Sequence, residues 1–246
     1  MLNPNKTLSS DVIRRDPSNF SAQKHDLIII GGGVYGIMLA LEASRRDLSC
    51  LLLERDDFGQ HTSYNHLRII HGGLRYLQKL DLQRFRDSVK ERRWFFKNFP
   101  ELVRPLRCLL PLYGNGLYRP IVFSIALKLE ALLAADRNRN LASEHKLPSG
   151  QVLSSQETIG LFPAATQQGL LGGALWYDGF VPDSPRLLIE VLRWSCEYGS
   201  QAVNYCRVDE LLQTNGKVFG VRAQDTLFDE TYEFHASKVI NAAGPW

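Results

Sequence analysis

The stretch DLIIIGGGVYGIMLALEASRRDLSCLLLERDD, residues 26–57, constrains the fold more than any other part of the chain. It predicts a buried strand at Leu27–Ile30, a glycine turn, a helix over about Val34–Arg46 and a second buried strand at Ser49–Leu53. Two short apolar strands joined by a helix form a βαβ unit, and such units build parallel sheets covered by helices. We therefore expect an α/β fold with a Rossmann-like parallel sheet.

Three glycines in the turn follow the spacing G-x-G-x-x-G, at Gly31, Gly33 and Gly36. The first permits the tight turn, the second lets a pyrophosphate approach the backbone, and the third lets helix and strand pack closely. The helix N-terminus adds N–H donors and a positive dipole end. Glu54 ends the second strand, where a carboxylate accepts hydrogen bonds from ribose hydroxyls but repels a 2′-phosphate. The pattern predicts a site for NAD or FAD and disfavours NADP.

Composition excludes several kinds of partner and site. The 246 residues carry 29 Lys and Arg against 26 Asp and Glu, which is too balanced to predict nucleic-acid binding. The four cysteines are isolated, so they predict neither a disulfide framework nor a metal site. The first 25 residues lack the apolar core of a signal peptide. The longest apolar segment, residues 120–135, is interrupted by Lys128 and Glu130 and is too short to span a bilayer. We expect a flexible tail over residues 1–25 and a cytoplasmic protein.

The segment RDDFGQHTSYNHLRIIHGGLRYL, residues 55–77, takes the place of the regular βα units that an NAD-dependent dehydrogenase would carry after Glu54. With its ending H-G-G-L-R-Y, it resembles the flavin-contacting region of FAD-dependent glycerol-3-phosphate dehydrogenases, in the D-amino-acid-oxidase-like flavoenzyme superfamily. The resemblance runs from about His25 to the last residue, and includes GGALWYDGFVPDSPRLLIEVL and the terminal INAAGPW. It implies an FAD-dependent oxidoreductase that oxidises glycerol 3-phosphate, or a similar anionic alcohol, by hydride transfer to flavin.

The resemblance also implies roles for individual residues near the H-G-G-L-R-Y motif. Arg75 would hold the anionic group of the substrate, since arginine presents paired charged donors to phosphate or carboxylate. Tyr76 would donate a hydrogen bond beside the flavin. Independently of the resemblance, His61, His66 and His71 are candidates by residue type for acid/base chemistry or a covalent flavin link. The alternatives are surface ion pairs for Arg68 and Arg75 and a hydrogen-bonded packing role for each histidine.

Further residues are assigned to the cofactor by the same resemblance. Thr62 and Ser63 match a T-S pair at the flavin nucleotide, and Arg68 stands where the family usually has lysine. Gly72 and Gly73 would let the backbone approach a flat ring system. Val208 would meet the adenine through its backbone, and Gly244 would lie near the pyrophosphate or ribose; the alternative for Val208 is plain sheet core.

Departures from the family pattern leave the substrate open. Tyr64, Asn65 and His66 stand where the family tends to have small serines, and their bulk could reshape the pocket. An amine or amino-acid oxidase of the same superfamily, with Arg75 or Arg68 on a carboxylate, is one alternative. A non-catalytic dinucleotide-binding remnant is another.

The expected organisation is an FAD-binding domain, with a parallel sheet and an added β-hairpin or meander, interleaved with a partial substrate or cap domain. The predicted segments are a tail at 1–25, the FAD-binding βαβ unit and flavin-contact segment at 26–80, a helical or substrate-side cap region at 81–182, and a return to the FAD-binding domain at 183–246. Relatives continue into a second half, so the chain is expected either to be the N-terminal half of a longer protein or to work with a partner chain that supplies the remainder.

Helix signals lie in and after the predicted cap region. Asp81 is placed to cap a helix that runs to about Phe99, and Pro120 lies near the start of an apolar helix. Asp183 or Ser184 is placed to cap a third helix, with Gly199 just past its end. The Pro120 helix either packs into the cap or lies on a membrane, and the resemblance adds a quinone acceptor and peripheral contact with the inner membrane as expectations.

Overall fold

The computed structural model describes residues 12–114 and 116–245. The helices are α1 (Pro17–Ser21), α2 (Val34–Ser44), α3 (Leu74–Leu77), α4 (Leu82–Asn98), α5 (Pro120–Leu133), α6 (Ser155–Leu161) and α7 (Ser184–Glu197). The strands are β1 (Lys24–Ile30), β2 (Cys50–Leu53), β3 (Ile69–Ile70), β4 (Arg104–Leu112), β5 (Gln151–Leu153), β6 (Gly172–Phe180), β7 (Gln201–Val203), β8 (Cys206–Thr214), β9 (Lys217–Asp225) and β10 (Glu230–Asn241).

The chain divides into two compact units, one inserted into the other. The first unit takes the described residues up to Leu67 and from Asp183 onward, and the second is Arg68–Pro182. The first boundary therefore comes earlier than the predicted one after residue 80. The reason is that β3 pairs with β6 of the second unit, as Ile69 opposite Phe180, which places the H-G-G-L-R-Y motif in that unit.

The sheet of the first unit has the strand order β7-β2-β1-β10-β9-β8. The pairs of β7, β2, β1 and β10 are parallel, whereas β10, β9 and β8 form an antiparallel meander. Ile28 and Ile29 of β1 are fully buried, as a central strand covered on both faces requires. The β8–β9 turn has φ of 52° at Asn215 and 73° at Gly216, as a tight hairpin turn demands. The predicted Rossmann-like sheet with an added meander is confirmed.

The segment before β1 is built into the first unit. The Asp16 side chain accepts a hydrogen bond from the Asn19 N–H at 3.2 Å and caps α1. Phe20 is buried in the same core cluster as Ile28. The β1 strand begins at Lys24, opposite His235. The prediction of a flexible tail was therefore wrong for residues 17–25, where an apolar anchor and strand pairing hold the chain, and residues 1–11 lie outside the described part.

The second unit is built on an antiparallel sheet in which β6 pairs with β3, β4 and β5. The α4 helix begins after Asp81, whose carboxylate accepts from the Arg84 N–H at 3.1 Å, as predicted. The α5 helix begins at Pro120, also as predicted. Across the described residues, we find no helix with the length and apolar character needed to cross a membrane.

Candidate functional site

The glycine turn of the first unit is held by contacts that leave no room for side chains. The Gly31 N–H donates to the Leu53 carbonyl at 2.8 Å, and Gly31 has a φ of +106°. A β-carbon on Gly31 would lie 2.7 Å from the Ala242 carbonyl oxygen, and one on Gly36 would overlap the Gly31 carbonyl oxygen. The turn thus joins the ends of β1, β2 and β10, and each of these two glycines is required by close packing.

A cavity of about 330 Å³ lies beside this turn. Seven residues assigned to the cofactor from the sequence line it, namely Gly31, Gly33, Glu54, Thr62, Ser63, Val208 and Gly244. Gly36 does not line the cavity because it packs beneath the turn. The parallel strands β1, β2 and β10 end at this cavity, which is where open α/β sheets bind ligands.

Glu54 closes one side of the cavity and fixes the turn. Its side chain is 8% exposed, with Oε2 accepting from the Gly32 N–H at 2.5 Å and Oε1 accepting from the Asp56 N–H at 2.8 Å. A carboxylate has about four acceptor positions, so each oxygen keeps one for a further donor such as a ribose hydroxyl.

Ser63 caps the helix that comes after the turn. Its Oγ accepts a hydrogen bond from the Val34 N–H at 2.9 Å, at the first residue of α2. A β-carbon on Gly33 would lie 3.0 Å from the same hydroxyl oxygen. The hydroxyl therefore lies where the helix dipole favours an oxygen ligand, at the wall of the cavity. The cavity thus fits a dinucleotide, because it combines closely packed glycines, a helix N-terminus and the Glu54 carboxylate, which keeps free acceptor positions.

A second cavity, of about 420 Å³, lies within the second unit and brings together the predicted catalytic residues His71, Arg75 and Tyr76. The rings of His71 and Tyr76 meet edge to face with centroids 5.9 Å apart. The other lining residues are Gly73, Leu74, Gln78, Lys79, Asp81, Arg84, Leu110, Phe123, Trp176 and Asp178. Three cationic side chains and two acids line this cavity. One of the acids, Asp178, is already paired with the buried Arg92. The remaining positive charge favours binding of an anion.

Gly72 and Gly73 are required by the packing of α4. A β-carbon on Gly72 would overlap the guanidinium of Arg92, and one on Gly73, at φ +81°, would lie 2.9 Å from the Ser88 β-carbon. Arg68 donates from Nη1 to the Pro182 carbonyl at 2.8 Å. Gly73 lines the second cavity, whereas Gly72 and Arg68 line neither cavity. A cofactor contact for these three residues stays a prediction.

Sequence reasoning missed the polar residues beneath the H-G-G-L-R-Y motif. Asp178 is 7% exposed and pairs with Arg92, which is 3% exposed, at 2.8 Å. The available signal was the position of Asp178 within GGALWYDGF, because an acid in an apolar strand needs a buried partner. Which helix supplies that partner is a tertiary fact that the pattern does not contain.

Two further reactive side chains lie near the first cavity, one of them buried and the other paired with an acid. Burial raises the pKa of the Cys206 thiol, on the wall of the first cavity, to about 12, so it stays protonated. His61 lies 2.7 Å from Asp56 through Nε2 and Oδ2, and this contact lowers the pKa of the Asp56 carboxyl. Throughout the described ranges, no three His, Cys, Asp or Glu side chains are grouped as a metal site would need.

Comparisons with known proteins agree with this geometry. The aerobic glycerol-3-phosphate dehydrogenase of Staphylococcus haemolyticus is 36% identical over 241 residues, which are 98% of this chain and 41% of that protein. The corresponding protein of Bacillus subtilis is 34% identical, over 93% of this chain and 40% of its own length. The solved glycerol-3-phosphate dehydrogenase of Bacillus halodurans, complexed with FAD, matches 94% of this chain with a TM-score of 0.67 and 27% identity, over 36% of that structure.

The chain thus spans about two fifths of the length of the curated relatives it matches. The model of one protein family, described as FAD dependent oxidoreductase, matches residues 26–246, which cover both units. The chain therefore belongs to the FAD dependent oxidoreductase family.

Proposed function

We propose that this chain is part of an FAD-dependent dehydrogenase that oxidises glycerol 3-phosphate, or a similar anionic alcohol, to the ketone. The observation that carries the proposal is the second cavity, which Arg75, Tyr76 and His71 line together in a cationic setting. The relatives named for glycerol 3-phosphate support this choice of substrate. Bound FAD supplies the hydride acceptor.

In this proposal the first unit holds the dinucleotide. The glycine turn brings backbone close to the pyrophosphate, and the N-terminus of α2 favours its charge. Glu54 accepts hydrogen bonds from ribose hydroxyls while it keeps its two backbone donors. Val208 offers backbone to the adenine. The role of these residues is to bind and orient the group.

The second unit holds the alcohol. Arg75 pairs with the phosphate or carboxylate of the substrate, because a guanidinium stays charged and donates in pairs. His71 accepts the hydroxyl proton as the carbon that bears this hydroxyl loses its hydride. Tyr76 donates a hydrogen bond that orients the reacting group. The proton thus goes to the protein and the electron pair leaves with the hydride.

The test is the visible absorbance of the purified protein, recorded without oxygen before and after addition of glycerol 3-phosphate. We expect flavin bands that bleach upon addition, since hydride transfer reduces the flavin. If the bands bleach with an amino acid instead, the substrate is an amine and the proposed substrate is wrong. A protein that binds FAD and bleaches with neither compound would contradict the proposed reaction.

We also propose that α5 contacts a membrane surface, and, from the family resemblance, that a quinone accepts the electrons. The support for the membrane contact is an exposed apolar face on this helix, with Ile121 66%, Ile125 62% and Leu132 73% exposed. Ile125→Lys should weaken co-sedimentation with anionic lipid vesicles, whereas Leu227→Lys, at an exposed residue of the first unit, should not. Equal co-sedimentation of the two variants would argue against contact through α5.

A further inference from the structure

Asp178 is the centre of a buried polar network in the second unit. Its Oδ1 accepts from the Gly72 N–H at 2.6 Å and from Arg92 Nη1 at 2.8 Å. Its Oδ2 accepts from Trp176 Nε1 at 3.1 Å, two residues earlier on β6. Because side chains at i and i+2 share one face of a strand, Trp176 and Asp178 both reach the second cavity.

Arg92 completes the network from helix α4. Its Nη1 also donates to the Tyr177 carbonyl at 2.6 Å, so the guanidinium is held by both the backbone and the carboxylate of β6. The same guanidinium occupies the space where a side chain on residue 72 would begin. Gly72 is therefore fixed from two directions, by the hydrogen bond to Asp178 and by the packed face of Arg92.

The helical turn after Gly72 carries two of the residues assigned to the proposed chemistry. Gly73 adopts a φ of +81° as the N-cap residue of α3, and the Tyr76 N–H donates back to the Gly73 carbonyl at 2.8 Å. Arg75 and Tyr76 are thus placed by a single helical turn whose starting point is Gly72–Gly73. A four-residue helix has little stability of its own, so its position depends on what anchors its first residues.

We propose that Asp178 and Arg92 are positioning residues that set Arg75 and Tyr76 in the second cavity by anchoring Gly72. The inference rests on the proposed function, since it assigns these two residues to the binding of the same anionic substrate. Neither contacts the reacting atoms in this role. A displacement of the turn by about 1 Å is enough to weaken a bidentate contact to an anion.

The experiment compares Asp178→Asn with Asp136→Asn in the FAD-loaded protein. Asp136 is a matched control because it pairs with two arginines of the same helix, Arg86 at 2.7 Å and Arg93 at 2.5 Å, and does not line the cavity. We expect Asp178→Asn to raise KM for glycerol 3-phosphate about 10-fold with flavin content retained. We expect Asp136→Asn to lower the unfolding temperature and leave KM unchanged.

A readout that does not need turnover separates this inference from the proposed function. Amide hydrogen exchange of residues 72–77 should become faster in Asp178→Asn than in Asp136→Asn, even if glycerol 3-phosphate is not the substrate. A double variant, Arg92→Gln with Asp178→Asn, removes the buried unpaired charge that could unfold the single variant. If exchange at 72–77 and KM are the same in the Asp178 and Asp136 variants, the network only stabilises the fold and the proposal is wrong.

Discussion

The α-carbon of Gly36 lies so close to the carbonyl oxygen of Gly31 that a β-carbon there would overlap it. The first turn of α2 therefore rests directly on the turn that leaves β1. This contact closes one side of the βαβ unit and holds the helix N-terminus at the first cavity. The glycine spacing read from the sequence thus has a packing cause in addition to its role at a phosphate.

Substitution of Gly36 should affect both stability and the cofactor. We expect Gly36→Ala to destabilise the first unit by about 2 kcal/mol, because the added methyl forces helix and turn apart. Gly160→Ala is the matched control, since Gly160 lies within α6 and a β-carbon there would meet nothing within 4 Å. That variant should gain about 0.5–1 kcal/mol. Urea unfolding and FAD content measure both effects, and equal stabilities would contradict the packing argument.

Removal of the Arg75 side chain should separate substrate binding from cofactor binding. We expect Arg75→Ala to raise KM for glycerol 3-phosphate by about 10- to 100-fold, the range for loss of a charged hydrogen-bonding partner. Flavin content should stay constant, because no residue of the first cavity is changed. Arg139→Ala, at an exposed residue that does not line the second cavity, is the control. Unchanged kinetics in Arg75→Ala would remove this residue from the site.

His25 should make stability depend on pH. Its side chain is 3% exposed, and burial lowers its pKa from 6.5, more than the hydrogen bond to the Phe20 carbonyl at 3.1 Å raises it. Below about pH 6.5 the unfolded chain binds a proton that the folded chain resists, so stability falls with acidification down to the folded pKa. We expect the urea midpoint to fall less between pH 7.5 and 5 in His25→Gln than in the parent. Parallel pH profiles would exclude His25 as the cause.

The cysteines should react slowly while the chain is folded. Burial raises the pKa of the Cys50, Cys196 and Cys206 thiols to about 12 and that of Cys108 to about 11. Because the thiolate is the nucleophile, alkylation by iodoacetamide at pH 8 should be about 100-fold slower or more than in the denatured chain. Mass spectrometry of partly labelled protein should find Cys108 modified first. Early modification of Cys206 would show that the first cavity exposes its thiol.

Local patterns predicted the parts of the fold whose signals are local. The βαβ unit, the caps at Asp81 and Asp183 and the Asn215–Gly216 turn depend on residues within a few positions of one another, and all were found. The boundary at Leu67 was missed because it depends on a two-residue strand pairing with β6.

The candidate site shows the same difference. The assignments that line the first cavity came from the glycine motif with Glu54 and from the family resemblance, whereas the anchor beneath Arg75 needs Arg92 and Asp178, which are 86 positions apart. Phe20 likewise lies among polar residues in the sequence, and its burial is seen only in the folded sheet. Pairs of this kind carry no spacing rule, so only the folded structure could identify them.

The pairing of β1 with β10 sets the order in which the chain can fold. Lys24 is opposite His235, so β1, which pairs with β2 on one side, meets its other partner, β10, only after the inserted unit has been synthesised. The inserted unit, Arg68–Pro182, is continuous in sequence and needs no such partner. During synthesis we expect the inserted unit to fold before the first sheet is complete. Until β10 is available, the apolar faces of β1 and β2 remain exposed to solvent. A chaperone that shields these strands would therefore raise the yield of folded protein more than it would for a chain whose neighbouring strands are consecutive in sequence.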